Sequence, residues 1–302
     1  MFIVKHTARG AGSLDDALAA LSAHTVFSEI SIKRTQYAGH AIDIARENAS
    51  SVDLMVAVGG DGTLNEVVNG CMVASGTAQD LPCLGIVAGG TANDFLKSTP
   101  LSGTLAEVVK LAAQRSTRPV DLGLVEYTDG ATEAARRYFI NVADLGIGAN
   151  VARRVNESER RFGASIAYSS AIVGAFLSYR KPDLQLNADD GWTWQGKSLA
   201  CVIGNGRCFG AGLCAVPQAR IDDGRLSAAI IGDVSLLDFL LKLPKLKRCQ
   251  PISHPEVEYH QARSLRISSG GQACAMELDG EYLECGDVSV SVIPAALTIL
   301  MP

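Results

Sequence analysis

Short apolar runs that alternate with amphipathic stretches constrain the fold of residues 1–122 more than any other feature. The run DLMVAV (53–58) has the continuous apolar character of a strand that is buried on both faces. After it, apolar side chains repeat at helical spacing over 64–72. The run CLGIVA (83–88) and an amphipathic stretch at 105–112 repeat this order. Because strands that alternate with helices form parallel sheets covered on both faces, we predict an N-terminal doubly wound α/β domain.

Beyond Asp121 the pattern changes to short strand-like runs separated by turn residues. The runs are YFINVA (138–143), DLQLNA (183–188), SLACVIG (198–204), RLSAAII (225–231), SLRIS (264–268), ACAMEL (273–278) and DVSVSVI (287–293). One longer helical pattern covers 157–180. Many short strands are typical of an antiparallel sandwich. We therefore predict domains over 1–122 and 123–302, the second mainly antiparallel β-sandwich, and leave open a return of the C-terminal segment to the first.

The composition is that of an ordinary soluble protein, with 47% hydrophobic and 20% charged residues. The net charge of -5 argues against a nucleic-acid partner, since nucleic-acid binders usually carry a strongly basic face. The sequence shows neither a secretory leader nor an apolar stretch long enough for a transmembrane segment. The eight cysteines are scattered without a C-x-x-C pair, so we expect reduced, mostly buried thiols and neither a zinc site nor a disulfide framework. These features predict a cytoplasmic protein.

Two predicted strand-to-helix junctions are rich in glycine: VGGDGTLNE (58–66) and AGGTANDF (88–95). In a doubly wound sheet such junctions lie at the carboxyl ends of the strands, where ligands bind. Glycine lets the backbone approach a phosphate, and the N–H groups of a helix start attract one. The candidates from this argument are Gly59, Gly60, Gly62, Thr63 and Thr91. Neither junction matches the P-loop or the G-x-G-x-x-G fingerprint, and the alternative is two tight turns that bind nothing.

The order of motifs resembles the catalytic domain of the diacylglycerol kinase family. The motifs are GGDGTLNEV (59–67), GGTANDF (89–95), VDLG (120–123), FINVADLGIGA (139–149), PQARIDDGRL (217–226) and ELDGE (277–281). The family includes diacylglycerol, sphingosine and ceramide kinases and bacterial soluble lipid kinases, and its fold is related to that of the NAD kinases. The resemblance covers nearly the whole chain, whereas GGDGT alone is shared with NAD kinases.

The resemblance implies that the two glycine turns hold the phosphates of ATP and that a threonine before the second helix, in KRTQYAGHA (33–41), also approaches the nucleotide. The implied nucleotide-binding residues are Thr35, Gly59, Gly60, Asp61, Gly62, Thr63, Leu64, Asn65, Gly90, Thr91, Asn93 and Asp94. The loop KHTARGAGS (5–13) departs from the family's pattern after the first strand. Whether it contributes to ATP binding is left open.

The resemblance also implies two catalytic aspartates and a metal site. Asp279 corresponds to the general base that accepts the proton of the acceptor hydroxyl, and Asp61 would act through Mg²⁺ or a water network. A structural Mg²⁺ would be held by Asp223 and by the backbone carbonyls of Arg220 and Arg225, since oxygen ligands suit a hard cation. The alternative for each Asp-Gly pair is a plain hairpin turn.

Two stretches could contact a lipid. ASIAYSSAIVGAFLSYRK (164–181) is a mostly apolar helical stretch that could line a groove. LLDFLLKLPKLKRC (236–249) mixes leucines with three lysines and an arginine, a composition typical of reversible docking to an anionic membrane. The alternative for this second stretch is a core-packed helix that ends at Pro244, followed by a solvated basic tail.

Together these observations predict an ATP- and Mg²⁺-dependent lipid kinase that is peripherally associated with the membrane. The acceptor hydroxyl could belong to diacylglycerol, phosphatidylglycerol or a sphingoid-type lipid, because no residue selects among them. The alternatives are a kinase for a soluble hydroxyl substrate such as NAD and a nucleotide-binding regulator without catalysis. A homodimer is compatible with the sequence, but no residue indicates it.

Overall fold

The computed structural model describes residues 1–6, 26–75, 81–128, 134–151, 174–176, 178–272 and 274–302. The chain divides into two compact units. Unit 1 comprises Met1–Leu122 and Pro294–Pro302, and unit 2 comprises Gly123–Ile293. Most of the predicted helix at 157–180 and most of the atypical loop at 5–13 lie outside the described residues.

Unit 1 is built around parallel strands. Its elements are β1 (Phe2–Val4), β2 (Ile32–Arg34), α1 (His40–Asn48), β3 (Leu54–Gly59), α2 (Asp61–Ser75), β4 (Cys83–Ala88) and α3 (Leu105–Gln114). The strands pair in parallel in the order β2-β1-β3-β4. The last strand of the chain adds to this sheet, with Ile299 beside Leu84 in parallel.

Helices cover both faces of the unit 1 sheet. On one face of β3, Val56 and Val58 pack in a buried cluster with Val108 and Leu111 of α3. On the opposite face, Met55 contacts Cys71 of α2. Alternate residues of β3 therefore face different helices, which is why the whole strand is apolar. The predicted doubly wound arrangement is confirmed.

Unit 2 is built almost entirely from antiparallel strands. The elements from residue 117 onward are β5 (Thr117–Thr128), β6 (Ala134–Phe139), β7 (Val142–Gly146), β8 (Asp183–Ala188), β9 (Thr193–Lys197), β10 (Ala200–Gly204), β11 (Cys208–Phe209), β12 (Leu213–Cys214), β13 (Leu226–Ile231), α4 (Leu236–Lys247), β14 (Val257–Ala262), β15 (Ser264–Ser268), β16 (Cys274–Leu278), β17 (Glu281–Cys285) and β18 (Val288–Leu300). Strand β5 begins in unit 1, and β18 ends there.

Two layers of strands enclose the core of unit 2. One sheet has the order β14-β13-β10-β7-β16-β17. The other layer contains β18, β15, β8 and β9 in that order, together with the β5–β6 pair. Side chains from both layers, such as Leu145 of β7 and Leu265 of β15, meet in one buried cluster. The predicted antiparallel sandwich is confirmed.

The structure corrects two expectations. Cys214 and Cys249 form a disulfide across a sequence separation of 35, whereas all cysteines were expected to be reduced. Residues so far apart give no spacing signal, and only the fold brings them together. The helix α4 also continues through Pro244 to Lys247, and none of its residues is buried. The core-packed alternative for this segment is therefore wrong.

Candidate active site

The first glycine turn joins β3 directly to α2. Gly59 ends the strand and Asp61 begins the helix. Thr63 is buried and lies against Gly59, where a Cβ would come within 2.4 Å of its Oγ1 atom. A residue larger than glycine at position 59 would displace Thr63 from the start of the helix. The turn is tight because Gly60 is the single residue between the strand and the helix.

The second glycine turn packs directly on the first. A Cβ on Gly90 would lie 2.4 Å from the Cα atom of Gly60, so the two backbones are in contact. The backbone N–H of Gly89 donates to the carbonyl of Gly59 at 2.7 Å. The structure therefore brings the two predicted phosphate-binding turns together at the carboxyl ends of adjacent parallel strands.

Asp61 links the start of α2 to the second turn. Its Oδ1 atom accepts a hydrogen bond from the backbone N–H of Phe95 at 3.0 Å. Burial raises the pKa of the Asp61 carboxyl, and the backbone N–H groups of Phe95 and Asp94 oppose the rise. The carboxylate of Asp61 therefore holds the loop at 93–95 against the start of α2, a role that the sequence did not indicate, and its binding of a cation stays a prediction.

The remaining residues of the second turn are held by local contacts. The Asn93 side chain closes a small ring, since its Oδ1 accepts from the Gly90 N–H at 3.2 Å and its Nδ2 donates to the Gly90 carbonyl at 3.1 Å. Asp94 is buried and forms an ion pair with Lys97. Thr91 is exposed beside them. Lys97 was missed by the sequence argument, although its position three residues after Asp94 in a short 3-10 helix was the available signal.

Two further predicted residues are engaged within the protein. The Oδ1 atom of Asn65 accepts from Asn69 one helical turn later, at 3.1 Å. The hydroxyl of Thr35 accepts from the backbone N–H of His6 at 3.2 Å. A small pocket of unit 1 lies between the turns and is lined by Gly60, Asp61 and other residues of the two junctions. Contact of Thr35 and Asn65 with a nucleotide stays a prediction.

In unit 2, the buried carboxylate of Asp279 lies at the tip of the β16–β17 hairpin. Asp279 and Gly280 have φ angles of 50° and 95°, as a two-residue type I′ turn requires. The Asp279 carboxylate accepts three backbone hydrogen bonds: Oδ2 from Ile140 at 2.8 Å, and Oδ1 from Asn141 at 3.0 Å and Val142 at 2.9 Å. Donors of this kind favour the charged form of a carboxylate. The turn alternative and the catalytic interpretation are compatible at this residue.

Beside Asp279, strand β7 and the residue before it carry buried polar atoms that the sequence argument missed. Asp144 is 1% exposed, and neither of its carboxylate oxygens has a hydrogen-bond partner among the described residues. The same holds for the Oδ1 atom of Asn141. Burial raises the pKa of Asp144 to about 7, offset in part by the nearby backbone N–H of Gly148. An acid in the middle of the apolar strand VADLG was the available signal.

The proposed structural metal site has the form of a turn. Asp223 is exposed, its Oδ1 accepts from the backbone N–H of Arg225 at 3.0 Å, and Gly224 follows with a φ of 69°. The guanidinium of Arg220 contacts the carboxylate of Asp222 at 3.4 Å. Because a guanidinium is a cation, Arg220 could bind a metal ion only through its backbone carbonyl. A carboxylate with two carbonyl oxygens is a donor set that fits Mg²⁺ chemically. Binding there stays a prediction.

Comparison with known proteins places the chain in a family. Residues 2–125 match the diacylglycerol kinase catalytic domain, and residues 141–301 match the YegS C-terminal NAD kinase beta sandwich-like domain. A protein of Staphylococcus carnosus (strain TM300) named "Diacylglycerol kinase" is 30% identical over 84% of this chain and 78% of its own length. The chain belongs to the diacylglycerol kinase family.

Other relatives agree with this assignment. A protein of Xanthomonas oryzae pv. oryzae (strain MAFF 311018) named "Probable lipid kinase YegS-like" is 31% identical over 84% of this kinase and 80% of its own length. A crystal structure of a diacylglycerol kinase from Bacillus anthracis str. Sterne has a TM-score of 0.70 at 20% identity, covering 100% of this kinase and 95% of that chain. That likeness shows the fold, while the sequence relatives support lipid kinase activity in general.

The described helices of this kinase are all too short or too polar to cross a membrane.

Proposed function

We propose that this kinase transfers the γ-phosphate of ATP, with Mg²⁺, to the hydroxyl group of a lipid. The observation that carries the proposal is the contact between the two glycine turns, Gly60 against Gly90, at the start of α2. The first N–H groups of an α-helix lack intrahelical partners and lie at the positive end of its dipole. Two adjacent glycine backbones beside such a helix start make a surface without side chains that fits a polyphosphate.

Asp279 supports the acceptor half of the reaction. In the proposed step, the acceptor oxygen forms a bond to the γ-phosphorus, the bond to the β–γ bridging oxygen breaks and ADP leaves. The hydroxyl proton passes to the Asp279 carboxylate. Because phosphoryl transfer has a loose transition state, the proton leaves late, and a carboxylate held as an anion by three N–H donors is adequate as a base.

Mg²⁺ would neutralise the phosphate charge that develops during transfer. The carboxylate of Asp61 is the donor in unit 1 that fits this ion, since it is a hard oxygen ligand beside the pocket between the turns. In the same position Asp61 keeps the loop at 93–95 attached to the helix start through Phe95. Asp223 and its flanking carbonyls would hold a second, structural ion.

The exposed face of α4 supports docking to an anionic membrane surface. Leu237, Leu240 and Leu241 are 65%, 46% and 67% exposed. The same helix and its C-cap carry Lys242, Lys245, Lys247 and Arg248. Each basic residue near an anionic surface contributes about 1 kcal/mol. Exposed leucines together with four basic residues on one helix match the composition of helices that dock on an anionic lipid surface.

The decisive experiment is transfer of labelled γ-phosphate in the presence of Mg²⁺. Mixed micelles would offer diacylglycerol, phosphatidylglycerol or a sphingoid base, with NAD in a separate reaction and a control without acceptor. Label on a lipid, absent with Asp279→Asn, supports the proposal and names the acceptor. Label on NAD alone would make this a soluble-substrate kinase, and ATP binding without transfer to any acceptor would favour a regulator.

A further inference from the structure

Three cysteine sulfurs converge in unit 2. The Sγ atoms of Cys208, Cys214 and Cys249 all lie within 4.8 Å of one another. Cys208 and Cys214 are buried register partners in the antiparallel β11–β12 pair. Cys249 is half-buried and directly follows the C-terminal residue that caps α4. Three separate segments therefore bring their thiol-bearing residues to one point.

The oxidation state of the cluster decides what it can bind. Cys214 and Cys249 are joined in a disulfide, and Cys208 lies outside that bond. A dithiol reductant can open the disulfide: it gives two electrons and two protons to the two sulfurs and becomes a cyclic disulfide itself. Reduction therefore converts the cluster into three neighbouring thiols.

We propose that the reduced cluster binds one thiophilic metal ion of the Zn²⁺ class through Cys208, Cys214 and Cys249. Thiolate is the preferred ligand of such ions, and a tetrahedral ion with Zn–S bonds of about 2.3 Å separates its sulfurs by roughly 3.8 Å. The three sulfurs lie within 4.8 Å of one another, so side-chain rotation can bring them to the separation that the ion requires. Three protein ligands leave one coordination position open, and each thiol releases its proton on binding.

The charges near the cluster favour thiolates. Lys245 and Lys247 lie in the last turn of α4, and Arg248 immediately precedes Cys249. Neighbouring cations stabilise the thiolate form of a cysteine. Three thiolates with one divalent ion carry a net charge of -1, opposite in sign to the three basic residues that precede Cys249 at the end of α4.

The cluster is connected to the Asp279 hairpin by hydrogen bonds. The backbone carbonyl of Cys208 accepts from the Nδ2 atom of Asn141 at 2.7 Å, and the backbone N–H of Asn141 donates to Asp279. The metal site does not depend on the proposed kinase reaction. If that reaction is also correct, the single residue Asn141 links the backbone of the cluster to the carboxylate of Asp279.

The proposal is tested by titrating Co²⁺ into the full-length protein. One sample is reduced with dithiothreitol and desalted without oxygen, and a second is left oxidised. We expect one equivalent of Co²⁺ to bind the reduced protein with a near-ultraviolet thiolate charge-transfer band that Zn²⁺ abolishes, and no band in the oxidised protein. Metal analysis after desalting gives the stoichiometry independently of activity.

Variants separate the cluster from the other thiols. Cys208→Ser and Cys249→Ser should each raise the Co²⁺ dissociation constant by at least roughly 10- to 100-fold. Loss of a residue that only hydrogen-bonds to a metal ligand already has an effect of that size, and here a ligand itself is lost. Cys83→Ser, at a half-buried thiol of unit 1, should bind like the wild type. Circular dichroism identifies any variant that is unfolded, and Cys249 is the less buried of the two test positions. A reduced wild type without the band, or equal bands in wild type and folded Cys249→Ser, would overturn the proposal.

Discussion

Gly60 and Gly90 are in backbone contact: a Cβ atom on Gly90 would lie 2.4 Å from the Cα atom of Gly60. The contact joins the ends of β3 and β4 and forms the surface on which the proposed nucleotide site rests. It is too close for any side chain, and neither turn can move away without breaking the hydrogen bond from Gly89 to Gly59. Glycine is required most strictly at position 90, since a Cβ atom on Gly60 would lie 3.1 Å from the Cα atom of Gly90, a tight but longer contact.

Gly90→Ala should separate the turns and weaken ATP binding. Forcing a methyl group into a closed contact costs about 1–3 kcal/mol, so we expect a lower free energy of unfolding and an ATP dissociation constant raised roughly tenfold or more. Equilibrium denaturation and calorimetric titration measure the two effects. Gly196→Ala on β9 is the matched control, because its Cβ would meet only the Trp194 ring at 3.4 Å. Unchanged ATP affinity in a folded Gly90→Ala protein would show that the contact does not support the nucleotide.

Asp61→Asn separates the charge of Asp61 from its hydrogen bond. The amide oxygen can still accept from Phe95, whereas the interaction with the backbone N–H of Asp94 is weakened, so we expect the loop at 93–95 to stay in place and the stability to fall by about 1 kcal/mol. Loss of the charge should raise the Mg²⁺ concentration for half-maximal rate. Initial rates measured over a Mg²⁺ series, with Asp61→Ala as the variant that loses both interactions, give the answer. The metal interpretation is wrong if the Mg²⁺ dependence of Asp61→Asn equals that of the wild type.

Asp279→Asn should abolish most turnover while ATP still binds. Asparagine tolerates the φ of 50° at this turn, so the hairpin should form. Its amide group presents one N–H₂ to backbone donors, which should lower stability by about 1–3 kcal/mol. Loss of the base should reduce kcat by about 10²- to 10⁴-fold. Steady-state kinetics, with nucleotide affinity measured separately, test this, and near-normal kcat would remove Asp279 from the mechanism.

The sequence predicted the parts of the fold that depend on local patterns. The apolar run 53–58 and the glycines after it are sufficient to predict β3, the start of α2 and a turn between them. Contacts between distant residues had no such signal. Nothing in the spacing of Cys214 and Cys249 indicates that they are neighbours, and the burial of Asp144 depends on strands that pair with β7 from both sides. Elements and turns that depend on neighbouring residues were therefore predictable, whereas contacts between residues far apart in the sequence were not.

Exposed leucines on α4 should matter for membranes and not for folding. Leu241→Glu removes an apolar side chain worth roughly 1.5–3 kcal/mol when buried and adds a repulsive charge, so binding to vesicles with anionic lipid should fall by about tenfold or more. Because Leu241 is 67% exposed, stability should change by less than about 0.5 kcal/mol. Val73→Glu on α2, at a site 60% exposed, is the control and should leave flotation with vesicles unchanged. Equal vesicle binding by both variants would contradict docking through α4.

Asp144 should give the protein a stability that falls as the pH rises. Its pKa is about 7 in the folded protein, against an ordinary value of 3.8. Between these values the folded protein holds a proton that the unfolded chain lacks, so the free energy of unfolding decreases by roughly 1.4 kcal/mol per pH unit and levels off above pH 7. Asp144→Asn cannot titrate and should lose this decrease. Urea denaturation at pH 5 and pH 8 measures the effect. The free energy of unfolding should decrease less between these pH values for Asp144→Asn than for the wild type. For the exposed control Asp183→Asn it should decrease as much as for the wild type. Parallel pH profiles for Asp144→Asn and the wild type would mean that Asp144 is already ionised in the folded protein, and the search for its partner would move to a bound cation.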